Sequence, residues 1–259
     1  MGVLNVTPDS FSDGGRFTLV ETAVQQALAM AELGASIIDI GGESTRPNAV
    51  PVSIEDEIKR VIPVIKGIRL KSDIAISIDT SKPDVMKAAV EAGANLINDV
   101  YALRKPGALE MAASLDVSVC LMHMQANPET MQDKPNYSNV VEEVNDFFQQ
   151  QILACDNVGI TRDKIILDPG FGFGKTLQHN LCLLANLDYF SRHGCPILAG
   201  LSRKSMLGEI LDKEVEERTF GSVAAALLAV TRGASIVRVH DVAETSDALK
   251  IYDAVQSVD

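Results

Sequence analysis

Residues 165–170 read Ile165-Ile166-Leu167-Asp168-Pro169-Gly170, an apolar run that ends on an acid and a Pro-Gly break. So short and continuous a run suits a strand buried on both faces of a parallel sheet. Ser118-Val119-Cys120-Leu121-Met122-His123 has the same character. Working outward, similar runs occupy residues 3–7, 36–42, 75–81, 96–100, 197–202 and 236–241, eight in all, nearly every one with a polar residue at or beside its end. The stretches between them are long enough for helices, and most read as amphipathic. Eight strands alternating with helices predict an α/β fold, a single (β/α)8 TIM barrel. The polar residues then fall at the carboxyl ends of the strands, where such barrels do their chemistry.

The 259 residues fit one such barrel, for which about 250 residues is typical. Two domains of about 130 residues are arithmetically allowed, but no Pro/Gly/Ser-rich linker, composition shift or repeat divides the chain. Residues 1–259 are therefore read as one domain. No apolar run approaches the roughly 18 residues of a membrane span, and no basic-then-apolar leader starts the chain. The net charge of −12 argues against a nucleic-acid surface. It does not argue against a small anion, because local basic residues can outweigh distant acids. Cys120, Cys155, Cys182 and Cys195 form no CxxC, and are expected to be free, buried thiols of a cytoplasmic protein.

Helix signals punctuate the intervals. Ser53-Ile54-Glu55-Asp56-Glu57 offers a capping residue and first-turn acids. Lys82-Pro83-Asp84 opens the next helix with Pro near its first position, and Glu91-Ala92-Gly93 closes it. Glu32-Leu33-Gly34 and Thr231-Arg232-Gly233 repeat the helix-Gly-strand handover, and residues 139–158 form the longest helix candidate. The first strand begins almost at residue 1, so the chain reads as trimmed before strand 1, at an expected cost to stability rather than to the site.

Period-two geometry sorts the strand faces. If Asp79 points into the barrel mouth, so do Ser77 and Ala75, while Ile76 and Ile78 face the helices. The same parity groups Asp168 with Ile166, Asn98 with Leu96, and Arg238 with Ile236 and His240. Each inward row thus turns polar towards its carboxyl end.

Candidate site residues follow. Strand ends supply Asn5, Asp79, Asn98, Asp168, Arg238 and His240; loops and a helix start add Thr45, Arg46, Arg203 and Lys204. Two carboxylates and an amide suit a flat heterocycle rich in N–H donors, since an ionised Asp accepts two parallel hydrogen bonds from an amidine-like edge. Ion pairing or helix capping is the alternative use of these acids. Arg238-Val239-His240 suits an anion, most naturally phosphate, with Ser202-Arg203-Lys204-Ser205 adding charge beside it; Arg203 better fits a surface ion pair. Gly174-Lys175-Thr176 resembles the end of a P-loop, but Pro169 stands where that motif needs Gly. Gly170-Phe171-Gly172-Phe173-Gly174 is read instead as a mobile loop over the mouth. Residues 8–15 and 41–47 are two further candidate lids. His123 is read as a packed residue as readily as a functional one, and His179 and His193 as surface residues.

Leu4-Asn5-Val6-Thr7-Pro8-Asp9-Ser10-Phe11-Ser12-Asp13-Gly14-Gly15 and Gly41-Gly42-Glu43-Ser44-Thr45-Arg46-Pro47 closely resemble segments of the dihydropteroate synthases. So do Ile78-Asp79-Thr80-Ser81, Ile97-Asn98-Asp99, Leu121-Met122-His123-Met124, Asp168-Pro169-Gly170-Phe171-Gly172-Phe173-Gly174-Lys175, Ser202-Arg203-Lys204-Ser205 and Arg238-Val239-His240-Asp241. The resemblance implies a transferase of folate synthesis that condenses 6-hydroxymethyl-7,8-dihydropterin diphosphate with 4-aminobenzoate. It implies that Asp79, Asn98, Asp168 and Lys204 hold the pterin, with Met122 lining its pocket. Asn5, Thr45, Arg238 and His240 would contact the diphosphate, with Val239 between them, and Asn5 would ligate Mg²⁺. Thr45, Pro47, Phe173 and Ser202 would shape the 4-aminobenzoate pocket, which sulfonamides also occupy in that family, and Arg46 would be a further substrate-binding residue. A homodimer through barrel helices is also implied, although no helix shows an apolar outer stripe separable from core.

Two other readings compete. A methyltetrahydrofolate–corrinoid methyltransferase-like barrel would share the pterin-holding acids but has no use for the cations around the last two strands. A non-catalytic pterin-binding paralogue has no need of lids for a second substrate.

Overall fold

The computed structural model describes residues 1–7, 16–44, 50–125 and 135–258. Six parallel strands pair in sequence order: β1 (Gly2–Asn5), β2 (Ile37–Gly41), β3 (Ala75–Asp79), β4 (Leu96–Asp99), β5 (Ser118–Met122) and β6 (Ile165–Asp168). The remaining strands, β7 (Leu198–Ala199) and β8 (Ile236–Val237), pair with each other. Single bridges close the circle, Leu167 to Ile197 on one side and Gly2 to Val239 on the other. At the second seam Val3 N–H donates to Val239 O at 3.0 Å and Val239 N–H to Met1 O at 2.9 Å. The result is the eight-stranded barrel that the apolar runs predict. β7 and β8 are shorter than their runs, yet Arg238 N–H still donates to Ala199 O at 3.0 Å.

Helices cover the outside. Between the first six strands run α1 (Arg16–Glu32), α2 (Ile54–Arg69), α3 (Pro83–Ala92), α4 (Ala108–Leu115) and α5 (Val140–Asn157). Beyond β6 come α6 (Leu177–Ala185), α7 (Ser205–Leu211), α8 (Thr219–Thr231) and α9 (Val242–Gln256). Their starts obey local chemistry. Ser53 caps α2 by accepting the Asp56 N–H at 3.1 Å, with Glu55, Asp56 and Glu57 in the first turn where the helix dipole favours acids. Asn139 caps α5 through the N–H groups of Val141 and Glu142, and Thr176 with His179 forms a capping box on α6. Among the described residues no helix is long and apolar enough to cross a membrane.

Two apolar layers follow from strand parity. Ile38, Ile40, Ile76, Ile78 and Ile97 are fully buried against the helices, and each such side chain stabilises the fold by about 1.5–3 kcal/mol. Inside the barrel a smaller cluster of Leu96, Cys120, Ile166 and Leu198, with Met1 and Ile236 beside it, fills the lower half. The interior is thus closed below and polar above. Cys120, Cys155, Cys182 and Cys195 are all free, Cys182 only partly buried. His193 is not at the surface: it is buried, and its Nε2 lies 3.1 Å from Asn145 Oδ1 on α5.

Candidate active site

Strand register assembles the site. Asn5 pairs with Gly41, Gly41 with Asp79 and Asp79 with Asn98, so these four form one inward row at the carboxyl ends of β1 to β4. One layer deeper lie Asp39 and Ser77. Glycine at position 41 keeps the row open: a Cβ there would stand 3.7 Å from Asn5 Oδ1 and 3.8 Å from Asp79 Oδ2.

Arg238 reaches into this row from β8. Its Nε–H donates to Asp39 Oδ2 at 2.6 Å and its Nη2 to Asp79 Oδ2 at 2.9 Å. The same Asp39 oxygen accepts from Asn98 Nδ2 at 3.1 Å. That leaves Asn98 its Oδ1 and second N–H, an adjacent acceptor and donor, for anything above it. Burial opposes the Arg238 charge, but Asp39 and Asp79 outweigh it and raise the guanidinium further. Burial, then the Asp39 charge, lifts Asp79 to about 7. A carboxyl poised near neutrality in a cleft marks a functional position.

Across the mouth stand Asp168 and Lys204. Asp168 is buried, its Oδ1 accepts the Gly170 N–H at 2.8 Å, and burial raises its pKa. Burial and the Arg238 charge lower the Lys204 ammonium to about 8. Its Nζ lies 4.2 Å from the centre of the Phe173 ring, a cation–π contact. Met122 registers with Asp168 and packs with Val100 and Met124, with Tyr101 and Phe173 against them, as an apolar wall. At the β7–β8 edge, Ser202 Oγ lies 3.0 Å from His240 Nδ1 and accepts the His240 N–H at 3.2 Å. Desolvation and Arg238 lower His240 to about 4, so it is neutral near pH 7 and enters as a hydrogen-bonding group rather than a second cation.

Several expectations need correction. Val239 does not face the mouth: alternation turns its side chain into the helix-facing core, and its N–H and C=O are spent on the seam with β1. The β6 loop is no loose flap, because Lys175 ties it down. Lys175 Nζ contacts His123 Nδ1 at 2.9 Å, Phe173 O at 2.9 Å and Gly170 O at 3.0 Å. At Gly170, φ is +69° and a Cβ would meet His123 O at 1.9 Å, so only glycine fits. Burial lowers Lys175 to about 7 and His123 to about 2. Arg203 pairs with Asp241 at 2.5 Å. Thr45, Arg46 and Pro47, with residues 8–15, lie outside the described residues. Just before Thr45, Glu43 accepts the Val52 N–H at 2.7 Å and pairs with Lys82 at 2.8 Å, and Lys82 also pairs with the buried Glu57.

Sequence reasoning missed Asp39 and Lys175. Asp39 stands among isoleucines in Ile37-Ile38-Asp39-Ile40 with the parity of Gly41, a signal that was there to use. Lys175 was visible as part of a failed P-loop and as the end of a family-like segment, with no role given to it.

The profile of the family described as "Pterin binding enzyme" matches residues 1–240. A dihydropteroate synthase from Escherichia coli strain K12 is 52% identical over 257 residues, 99% of this chain and 91% of that relative. The chain belongs to the dihydropteroate synthase family. A solved Yersinia pestis dihydropteroate synthase in a sulfonamide drug complex superposes with a TM-score of 0.95 at 50% identity, covering 100% of this chain and 94% of that one. The Xanthomonas albilineans dihydropteroate synthase with 4-aminobenzoic acid gives a TM-score of 0.94 at 53% identity, covering 100% and 93%. The structure of that enzyme with 7,8-dihydropteroate gives 0.91 at 51%, covering 100% and 94%.

Proposed function

We propose that this chain condenses 6-hydroxymethyl-7,8-dihydropterin diphosphate with 4-aminobenzoate, forming 7,8-dihydropteroate and pyrophosphate. The observation that carries this is one mouth that gathers the acids Asp79 and Asp168, the Asn98 amide and the cations Arg238 and Lys204, with neutral His240 at its β7–β8 edge. The carboxylates and the Asn98 amide suit the N–H-rich pterin edge, with Met122 against the ring face. Arg238 and His240 suit the diphosphate, Lys204 the pterin beside Asp168, and Phe173 and Ser202, with Thr45 and Pro47, the second substrate.

The reaction then needs no protein nucleophile. The methylene C–O bond breaks, its electron pair leaves with the diphosphate, and the cation left behind is delocalised into the electron-rich dihydropterin. Asp79 and Asp168 stabilise that positive charge, and Arg238 the negative charge departing. The arylamine nitrogen forms the new C–N bond and gives up a proton to solvent.

Asn5 fits a Mg²⁺ site of the kind that relies on substrate phosphates and water for most of its ligands. Its amide oxygen is a hard donor beside the space that Gly41 keeps open. Among the described residues no cluster of three or more His, Cys, Asp or Glu is arranged as a metal cage. Bound there, Mg²⁺ would neutralise diphosphate charge.

Pyrophosphate release with both substrates present, and none with either alone, is the expected result; its absence would overturn the synthase reading. Positional isotope scrambling in the diphosphate tests the dissociative path, and strict inversion at an isotopically chiral methylene without scrambling would count against it.

A homodimer belongs to the same proposal. Contrary to the sequence expectation, α8 carries an apolar outer stripe: Phe220 is 83% exposed and Leu228 53%, with Ala224 between them. Ile251 and Val255 on the adjoining α9 are also exposed. A second copy is the partner that this exposed apolar face suits. The free thiols support a reducing, cytoplasmic setting.

A further inference from the structure

Lys175 belongs to the segment that Pro169 spoils as a P-loop, and no substrate contact above uses it. Its ammonium is buried among four acceptors: His123 Nδ1 and Phe173 O at 2.9 Å, Gly170 O at 3.0 Å and His123 O at 3.3 Å. An ammonium has three N–H donors and no acceptor, so this cation is fully engaged and has nothing left for a phosphate. It joins the end of β5, where His123 sits, to the loop after β6. The loop is held from its other side as well. Asn180 Oδ1 accepts the Gly172 N–H at 2.9 Å, and the Tyr137 hydroxyl donates to Gly174 O at 2.9 Å. From this fixed backbone the Phe173 ring extends over Lys204.

We propose that Lys175 is a positioning residue for the second substrate: by holding the carbonyls of Gly170 and Phe173 it sets the place of the Phe173 ring, against which 4-aminobenzoate binds. This rests on the synthase reading. A lysine that served only stability would move the melting temperature and leave the Michaelis constants alone. A positioning lysine acts on one substrate and only through Phe173.

Lys175→Met keeps the stem and removes the donors. Initial rates are measured for wild type, Lys175→Met, Phe173→Ala and the double variant, varying each substrate in turn. The expected result is a rise of about tenfold in KM for 4-aminobenzoate in Lys175→Met, with KM for the dihydropterin diphosphate within about twofold of wild type. In the Phe173→Ala background the same change adds less than about twofold, the mark of a shared path. Equal effects in both backgrounds, or an unmoved KM for 4-aminobenzoate, overturn the proposal.

Should Lys175→Met fail to fold, Lys175→Gln goes through the same cycle, because its shorter side chain and two amide donors cannot hold all the carbonyls that the ammonium holds. A rise of about threefold that vanishes with Phe173→Ala supports the proposal, and no rise overturns it. Wild-type turnover separates the two levels. A wild type that releases no pyrophosphate overturns the synthase reading and this inference together; an active wild type with unshifted variants overturns this inference alone.

Discussion

The Nε–H of Arg238 donates to Asp39 Oδ2 at 2.6 Å, joining residues 199 apart in the chain, one layer beneath the acid that faces the mouth. The guanidinium proposed to meet the diphosphate is therefore aimed from below by a carboxylate with no exposure of its own. Asp39→Ala leaves Arg238 with Asp79 alone and frees the Asn98 amide to turn. Stability should fall by about 3 kcal/mol, the usual cost of breaking a buried charge pair from one side. KM for the dihydropterin diphosphate should rise at least about tenfold. Urea unfolding and initial rates check both, and an unchanged variant would show that Asp39 neither aims nor stabilises Arg238.

Asp79 makes the site sensitive to pH. Burial and Asp39 lift it from 3.8 to about 7. Because the folded value is raised, its contribution to stability is full below 3.8 and lost as pH rises through about 7. Wild type should therefore lose stability relative to Asp79→Asn over that window, as chemical unfolding at a series of pH values would show. A pterin that prefers the carboxylate should also drive off up to about one proton on binding near pH 6. Calorimetry in buffers of different ionisation enthalpy reads that number, and zero release would sink the assignment.

Lys204 sets function against stability. Burial and Arg238 depress it to about 8. A lysine so lowered contributes stability present above 10.5 and lost as pH falls through about 8, so at pH 7 its charge is a net cost. Lys204→Met should lose about 100-fold or more in kcat/KM while melting about 2–4 °C higher. Retained activity or a lower melting temperature would contradict the role given to it.

The α8 stripe yields a prediction about assembly. Phe220→Glu with Leu228→Glu places acids on two exposed positions whose substitution opens no core cavity. Sedimentation velocity should find wild type dimeric and the double variant monomeric with the same circular dichroism. A wild type that sediments as a monomer would refute the homodimer.

Much of this was legible in the sequence because period-two alternation is a strong rule. Asp79 with Ser77, Asp168 with Ile166 and Arg238 with Ile236 share faces as the strand parity requires, and that parity placed the mouth. Reading failed where a polar residue did not sit at a strand end. Asp39 lies inside an apolar run, and its partners come from β4 and β8, which no local pattern announces. Lys175 failed differently: its acceptors are main-chain carbonyls, and sequence carries no record of where carbonyls converge. Val239 was swept into the site by its neighbours although its own parity excluded it. His193 looked like a surface residue until α5 supplied Asn145.

The seam between β8 and β1 ties the site to the last strand of the barrel. Arg238 pairs with Asp39 and Asp79 inside, while its neighbour Val239 exchanges hydrogen bonds with Val3 and Met1 at the first strand. Two adjacent residues thus deliver the guanidinium to its acids and close the circle, so a change that displaces the end of β8 disturbs the ring and the charge pairs together.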